Sequence, residues 1–268
     1  MMITKNEKFL EELNELIKEG FKNNQAVILP PMDVTETIKI MHLLDYKFTV
    51  TMIDPWYNKG IGGEREDYVC FITSILALAG NISQHVFLWG FPEIVARFIE
   101  RIPEPLRYVC WLTWYYKNNP SVIRGWRSAQ QTCLHLPVPD AKLYPEHFLN
   151  EKQKKLKEQG KLRYMPGPPS VIEAPLNIGF VGKNEQTGHP SQKPESVYEK
   201  LYRMTTTPGD WVLDPMAGSG TTGAVASKLG FFTILCDKSE QYTRIMENRL
   251  GIKRLRVKTM LKELLKVA

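Results

Sequence analysis

Leu213-Asp214-Pro215-Met216-Ala217-Gly218-Ser219-Gly220-Thr221-Thr222-Gly223 is the stretch from which the rest of the chain can be read. It follows the apolar run Trp211-Val212-Leu213, so it reads as the loop that leaves the C-terminal tip of a strand. Gly218, Gly220 and Gly223 satisfy G-x-G-x-x-G, and Thr221 to Lys228 reads as a helix. Phe232-Thr233-Ile234-Leu235-Cys236 reads as the next strand and runs into Asp237. In this strand–loop–helix–strand–acid order, glycines let a backbone approach a cofactor closely while the acid meets ribose hydroxyls.

Only 50 residues follow Gly218 in a chain of 268. That is too short to complete a six-stranded dinucleotide fold downstream, so the remaining strands are expected upstream, with the cofactor half encoded last. The upstream sequence has the rhythm this requires. Phe48-Thr49-Val50-Thr51-Met52-Ile53 predicts a buried strand, 66–80 a helix, Val86 to Gly90 a strand, 92–101 a helix and Tyr108 to Thr113 a strand. A helix at 6–20, with Phe9, Leu10, Leu13, Leu16 and Ile17 on one face, precedes them, and another at 194–206 leads back to the glycine loop. The expected fold is α/β: a circularly permuted, doubly wound, mostly parallel sheet of the Rossmann-like kind, in a single domain over 1–268. The rhythm breaks at about 117–188, where prolines, the charged run Lys152 to Glu158 and Pro166-Gly167-Pro168-Pro169 predict a loop-rich insertion.

Composition narrows the class. With 43% hydrophobic residues the chain can bury a substantial core, and no apolar run approaches the roughly 20 residues that span a bilayer. The first residues lack the layout of a secretory signal, which predicts a cytoplasmic protein without a membrane partner. Cys70, Cys110, Cys133 and Cys236 are scattered, with no C-x-x-C pair and no histidine at ligand spacing, so no metal site is expected. The net charge of +6 is compatible with a nucleic-acid partner, although charge of this size also occurs in proteins without one.

The second informative stretch is Asp54-Pro55-Trp56-Tyr57-Asn58, also at a predicted strand tip. An exocyclic amine on a nucleobase is a poor nucleophile because its lone pair is delocalised into the ring. A carboxylate and a backbone carbonyl that accept its two N–H bonds stabilise the positive charge that grows during attack. A stacked aromatic ring fixes the angle of that attack. Asp54, the Pro55 carbonyl and the Tyr57 ring offer these parts within four residues; in isolation, a strand-end turn with the aromatics in the core is the favoured reading of the same residues.

Taken together and in order, Asp54-Pro-Trp-Tyr-Asn, His189-Pro190-Ser191-Gln192-Lys193-Pro194 and Leu213 to Thr222 resemble the β-class, S-adenosylmethionine-dependent DNA amino-methyltransferases, which act on adenine N6 or cytosine N4. The similarity covers 48–60 and 187–242, with a weaker match over Trp111 to Arg127. The resemblance implies a catalytic group of Asp54, Pro55, Trp56 and Tyr57, with Tyr57 stacking on a base flipped out of duplex DNA. It implies S-adenosylmethionine held by Asp214, Met216, Gly218, Ser219, Gly220, Thr221, Thr222 and Asp237, with Gln192 and Lys193 closing over it. It implies that the insertion recognises the target, and it carries two family-level expectations for partners besides DNA: a cognate restriction endonuclease and a homodimer.

Trp56 stands where the family usually has a second proline, which opens two readings: altered target geometry, or Trp56 stacking in place of Tyr57. Asp at the head of the motif favours adenine, since cytosine members more often begin with Ser. Three rivals stay open: a cytosine N4 enzyme, a silent cofactor- and DNA-binding relative, and a dinucleotide-dependent oxidoreductase resting on the glycine fingerprint alone. Among smaller signals, Trp111, Trp114, Tyr115, Tyr116 and Trp126 interleave with Lys117, Arg124 and Arg127, which suits either a nucleic-acid surface or a core edge. Lys152 to Glu158 and the basic run Arg249, Lys253, Arg254, Arg256, Lys258 read as solvated faces, and His189 as a residue that shapes its loop.

Overall fold

A computed structural model describes residues 5–58, 63–120, 122–123 and 125–258. Arg124, part of the aromatic and basic cluster, lies outside them. The predicted first helix is α1 (Lys5–Phe21), and the strand before Asp54 is β2 (Phe48–Ile53). Between them lie β1 (Ala26–Ile28) and α2 (Val34–Leu43), which the periodicity did not expose. A three-residue strand is too short to show a period. The start of α2 is nevertheless legible as a capping box, in which the Asp33 side chain accepts from Thr35 N and Glu36 reaches back to the Asp33 amide.

After β2 come α3 (Tyr68–Gly80), β3 (Ser83–Gly90), α4 (Pro92–Val95) with a 3-10 continuation over Ala96–Arg101, and β4 (Cys110–Tyr115). The single helix expected at 92–101 is therefore half 3-10, and the strand expected at 108–113 is shifted two residues on. Within the loop-rich stretch lie a small hairpin of β5 (Val122–Ile123) and β6 (Trp126–Arg127), β7 (Gln130–Pro137), α5 (Glu151–Glu158) and β8 (Val171–Glu173). The cofactor half follows as α6 (Glu195–Thr205), β9 (Trp211–Asp214), α7 (Thr221–Leu229), β10 (Phe232–Leu235) and α8 (Glu240–Leu250).

Eight strands form one sheet in the order β1-β10-β9-β2-β3-β7-β4-β8. The pairings from β1 to β3 are all parallel; β7 runs antiparallel between β3 and β4. Thus the insertion contributes β7 and β8 to the main sheet, a placement the sequence did not show. On one face α1, α2 and α3 pack Leu13, Ile38 and Ile75 against the sheet. On the other, α6 and α7 pack Val197, Leu201 and Val225 against Val50, Met52 and Trp114. Burial on both faces is why the parallel strands read as continuous apolar runs rather than alternating ones. β3 and β7 are further joined by a buried histidine pair: His85 Nδ1 lies 3.1 Å from His135 Nε2, and His85 Nε2 lies 2.9 Å from the Lys142 carbonyl oxygen. Burial pushes His85 down to about 4 and His135 to about 3, so both rings are neutral at physiological pH.

What positions the site is the pairing of β2 with β9, in the register Thr51↔Leu213. The chain proceeds from β2 outward to β3, and from β9 outward the opposite way to β10. The crevice between diverging connections is where an open α/β sheet binds ligands. Asp54 and Asp214 leave the sheet at that crevice.

Candidate active site

The glycine loop is shaped by backbone that other residues adopt only with strain. Gly218 and Gly220 have φ of +49° and +74°. A Cβ on Gly218 would sit 2.9 Å from His189 Nε2, so the imidazole lies directly on the loop. Burial pushes His189 down to about 4; its neutral ring accepts the Ser191 amide at Nδ1 and packs edge-on against Tyr242. Asp237 fastens the loop from the other side, accepting the Gly218 amide at 3.0 Å and the Ser239 amide at 2.8 Å. Burial raises its carboxyl above the usual range, against these two bonds.

Asp214 points into the protein. Thr222 donates to it at 2.5 Å, backed by the Tyr202 hydroxyl at 2.7 Å, and the Met216 amide donates at 3.3 Å. Burial, together with the charge of Asp54, pushes Asp214 up to about 7. Thr222 is thus occupied in holding Asp214 and is fully buried.

Around Asp54 the structure assembles residues from four separated segments. Lys193 Nζ donates to Oδ2 at 2.5 Å and the Tyr198 hydroxyl donates to the same oxygen at 3.4 Å. Tyr57 O–H lies 3.2 Å from Oδ1 but only 2.8 Å from Gln131 Oε1, so its single proton is better placed on Gln131. Lys193 also donates to the Tyr57 oxygen at 3.0 Å. Its side chain is only 2% exposed, between Tyr57 and the Trp89 ring. Burial and the charge of Asp54 raise Tyr57 well above the ordinary phenol range, so it is a neutral donor. Its ring rests edge-on against Phe91, 4.7 Å between centroids.

Trp56 turns away from this cluster. Its indole lies edge-on to Tyr68 and beside Phe71, donates to the Gly63 carbonyl at 3.2 Å, and carries Lys238 Nζ 5.3 Å from the ring centroid. The Trp56 carbonyl accepts the Tyr68 hydroxyl at 2.7 Å. Trp56 therefore does not take the place of Tyr57, because its ring is packed against the helix face that follows β2.

Asp54, Pro55, Trp56, Tyr57, Lys193, Met216, Gly218, Ser219, Thr221 and Asp237 all line one cavity of about 760 Å³. Gln192 does not line it; its side chain braces the preceding loop through Thr187 and the Glu185 carbonyl. Gly220 and Asp214 stand behind the lining and shape it.

Three site residues escaped the sequence reading. Gln131 and Tyr198 sit on an inserted strand and on the buried face of α6, where nothing local marks them. Arg249, read as a solvated cation, is instead 8% exposed: it pairs with Glu195 at 2.8 Å and donates to the Ser219 carbonyl and Thr221 Oγ1 at 3.2 and 3.0 Å. Its place at the end of α8, over the glycine loop, exists only in the folded chain. Trp114 and Tyr116 are buried, whereas Trp126 is exposed, so the aromatic run divides between core and surface. Among the described residues no three His, Cys, Asp or Glu side chains are grouped to hold a metal ion, and no helix is long and apolar enough to cross a membrane.

The family model described as DNA methylase, of the N6/N4 methyltransferases, matches residues 3–248. The type II methyltransferase M.HpaI of Haemophilus parainfluenzae is 30% identical over 144 residues, 52% of this chain and 44% of that protein; this chain spans less than half its length. Among solved structures, the M1.HpyAVI–SAM complex superposes with a TM-score of 0.65 at 21% identity, covering 85% of this chain and all of that one. The cytosine-N4-specific PvuII DNA methyltransferase gives 0.57 at 16% identity over 88% of this chain and 98% of that one. The family model spans well over half of the sequence, and the chain is a member of the N6/N4 DNA methylase family.

Proposed function

We propose that the protein methylates the N6 amino group of adenine in DNA, with S-adenosylmethionine as donor and the target base flipped into the cavity. One observation carries the reading: the amine-binding tip of β2 and the glycine loop after β9 open into the same cavity. A duplex base cannot reach Asp54 in the stack, so it must leave the helix.

The lining suits such a donor. Gly218 gives backbone access without a side chain, Asp237 supplies an acid at the end of β10, and Met216 and Ala217 give apolar contact. When bound, S-adenosylmethionine supplies an electrophilic methyl group on a sulfonium, so no metal or nucleophilic side chain is required.

The chain's own residues act on the amine. The Asp54 carboxylate accepts one amino N–H. The Pro55 carbonyl, which accepts no hydrogen bond from the described residues, accepts the other. As the N–C bond forms, the methyl–sulfur bond of the donor would break with its electron pair left on a neutral thioether. The positive charge that grows on the nitrogen faces Asp54 at short range, and the surplus N–H proton then leaves to solvent. Lys193 and Tyr198 hold Oδ2 in place, so the carboxylate meets the amine without reorganising. Tyr57, fixed by Gln131 and Phe91, offers the face on which the base stacks. Asp at the head of the motif is the reason for preferring adenine to cytosine.

The test is methyl transfer from labelled S-adenosylmethionine to unmethylated genomic DNA, followed by nucleoside analysis. N6-methyladenine is expected, with Asp54→Ala lowering kcat at least about 10²-fold while the donor still binds. N4-methylcytosine as the product would replace adenine with cytosine. Donor binding with no product on any DNA would sink the enzymatic reading.

A further inference from the structure

Trp126 and Phe180 are the most exposed large apolar side chains of the described residues, at 85% and 95%. Contact with water at this level is unfavourable for rings of this size, and two such rings on loops tied to one another form a surface that can meet a partner. Each ring lies on a segment that leads into the wall of the cavity. Trp126 belongs to the β5–β6 hairpin, five residues before Gln131, whose amide oxygen holds Tyr57. Five residues of extended chain reach no further than about 18 Å, and β7 opens at the edge of the sheet where β2 and β3 end, since Thr132 pairs with Gly90. Phe180 lies nine residues before His189, the ring seated on Gly218.

The two segments are also braced to one another. Asn118 clasps Leu176 through both its amide and its carbonyl, at 2.8 and 2.9 Å. Asn119 donates to the Ser128 carbonyl at 2.9 Å, and Lys117 pairs with Glu173 across β4 and β8. The Phe180 loop is itself stapled by Gln186, which donates to the Gly179 and Val181 carbonyls at 3.0 and 2.8 Å. Two aromatic tips are therefore presented from a framed base, and Arg127, Lys161, Arg163 and Lys183 are exposed on the same stretch of chain. Exposed rings on a stretch that also exposes several cations fit a polyanion with a stackable interior better than they fit an apolar protein face.

We propose that Trp126 and Phe180 enter the duplex beside the target and restore the stacking lost when the base leaves it. This rests on the base-flipping reading above. It assigns a task to residues that touch neither the donor nor the amine: they lower the cost of extrusion.

The experiment compares Trp126→Ala, Phe180→Ala and the double variant on two duplexes, one fully paired and one with the target base opposite an abasic site. On the paired duplex kcat/KM is expected to fall about tenfold for each single variant. Opposite the abasic site, where extrusion costs less, the variants should come within about twofold of the wild type, with donor affinity unchanged on both. Equal losses on the two duplexes would mean ordinary DNA contacts and overturn the proposal, as would variants as active as the wild type. Light scattering supplies a separate check: a wild-type dimer that the substitutions turn into monomers makes the tips a self-association surface and also overturns it. A wild type that methylates no DNA removes the base-flipping reading and this proposal together, whereas an active wild type with unaffected variants removes only this one.

Discussion

Asp54 and Asp214 stand at the tips of neighbouring strands yet live in different electrostatic surroundings. Asp54 is paired with Lys193, whose Nζ lies 2.5 Å from Oδ2. Among the described residues Asp214 has hydrogen bonds but no ion pair, and burial carries it to about 7. Its folded value lies above the ordinary carboxyl value of 3.8. The folded state therefore keeps a proton that the unfolded chain releases, and stability falls as pH rises from about 4 through 7. Asp214→Asn removes that penalty. In the donor-free protein it should raise unfolding stability at pH 8 by on the order of 4 kcal/mol relative to the wild type, with the difference vanishing near pH 4. Denaturant titrations at the two pH values check this; an equal shift at both would mean that the carboxyl is not the cause. The identity of both aspartates was plain in the sequence because each ends an apolar run. Their contrast was not, since it depends on Lys193, 139 residues from Asp54.

At the scale of elements, the glycine loop is held by three helices at once. Arg249 at the end of α8 reaches Ser219 and Thr221, while Glu195 at the start of α6 receives both Arg249 and Lys228 from α7. Thr221 Oγ1 also donates to the Lys193 carbonyl, which ties the loop to the residue that grips Asp54. Arg249→Met removes the clamp but leaves Glu195 paired with Lys228. It is expected to weaken donor binding about tenfold, or about 1.4 kcal/mol, by loosening the loop. Calorimetric titration measures this, and unchanged affinity would reduce Arg249 to a surface tie. A run of basic residues near the end of a chain looks like a solvated face. Only the packing of α8 over the loop turns one of them inward.

At the scale of the whole molecule, the charge of +6 and the exposed cations of the insertion predict salt-sensitive DNA binding. Affinity for duplex DNA should fall at least about tenfold between 50 and 200 mM salt, as phosphate contacts give way to counterions. Fluorescence anisotropy at several ionic strengths tests it; a flat response would remove phosphate contact from the account.

The sequence by itself determined the alternation of strands and helices, the permuted order in which the glycine-loop half comes last, and the two strand tips that border the cavity. These are short-range properties: apolar period, glycine at positive φ, and an acid closing a strand all act within a dozen residues. Tertiary structure alone decided that β2 and β9 pair at Thr51↔Leu213, that β7 leaves the insertion to lie between β3 and β4, and that Gln131 thereby meets Tyr57 from 74 residues away. It also decided that the Trp56 ring packs against Tyr68 rather than joining the cluster of Asp54, Tyr57 and Lys193. Pairing of distant strands is fixed by the burial of both sheet faces at once, a sum over the whole core to which no local stretch of sequence holds the key.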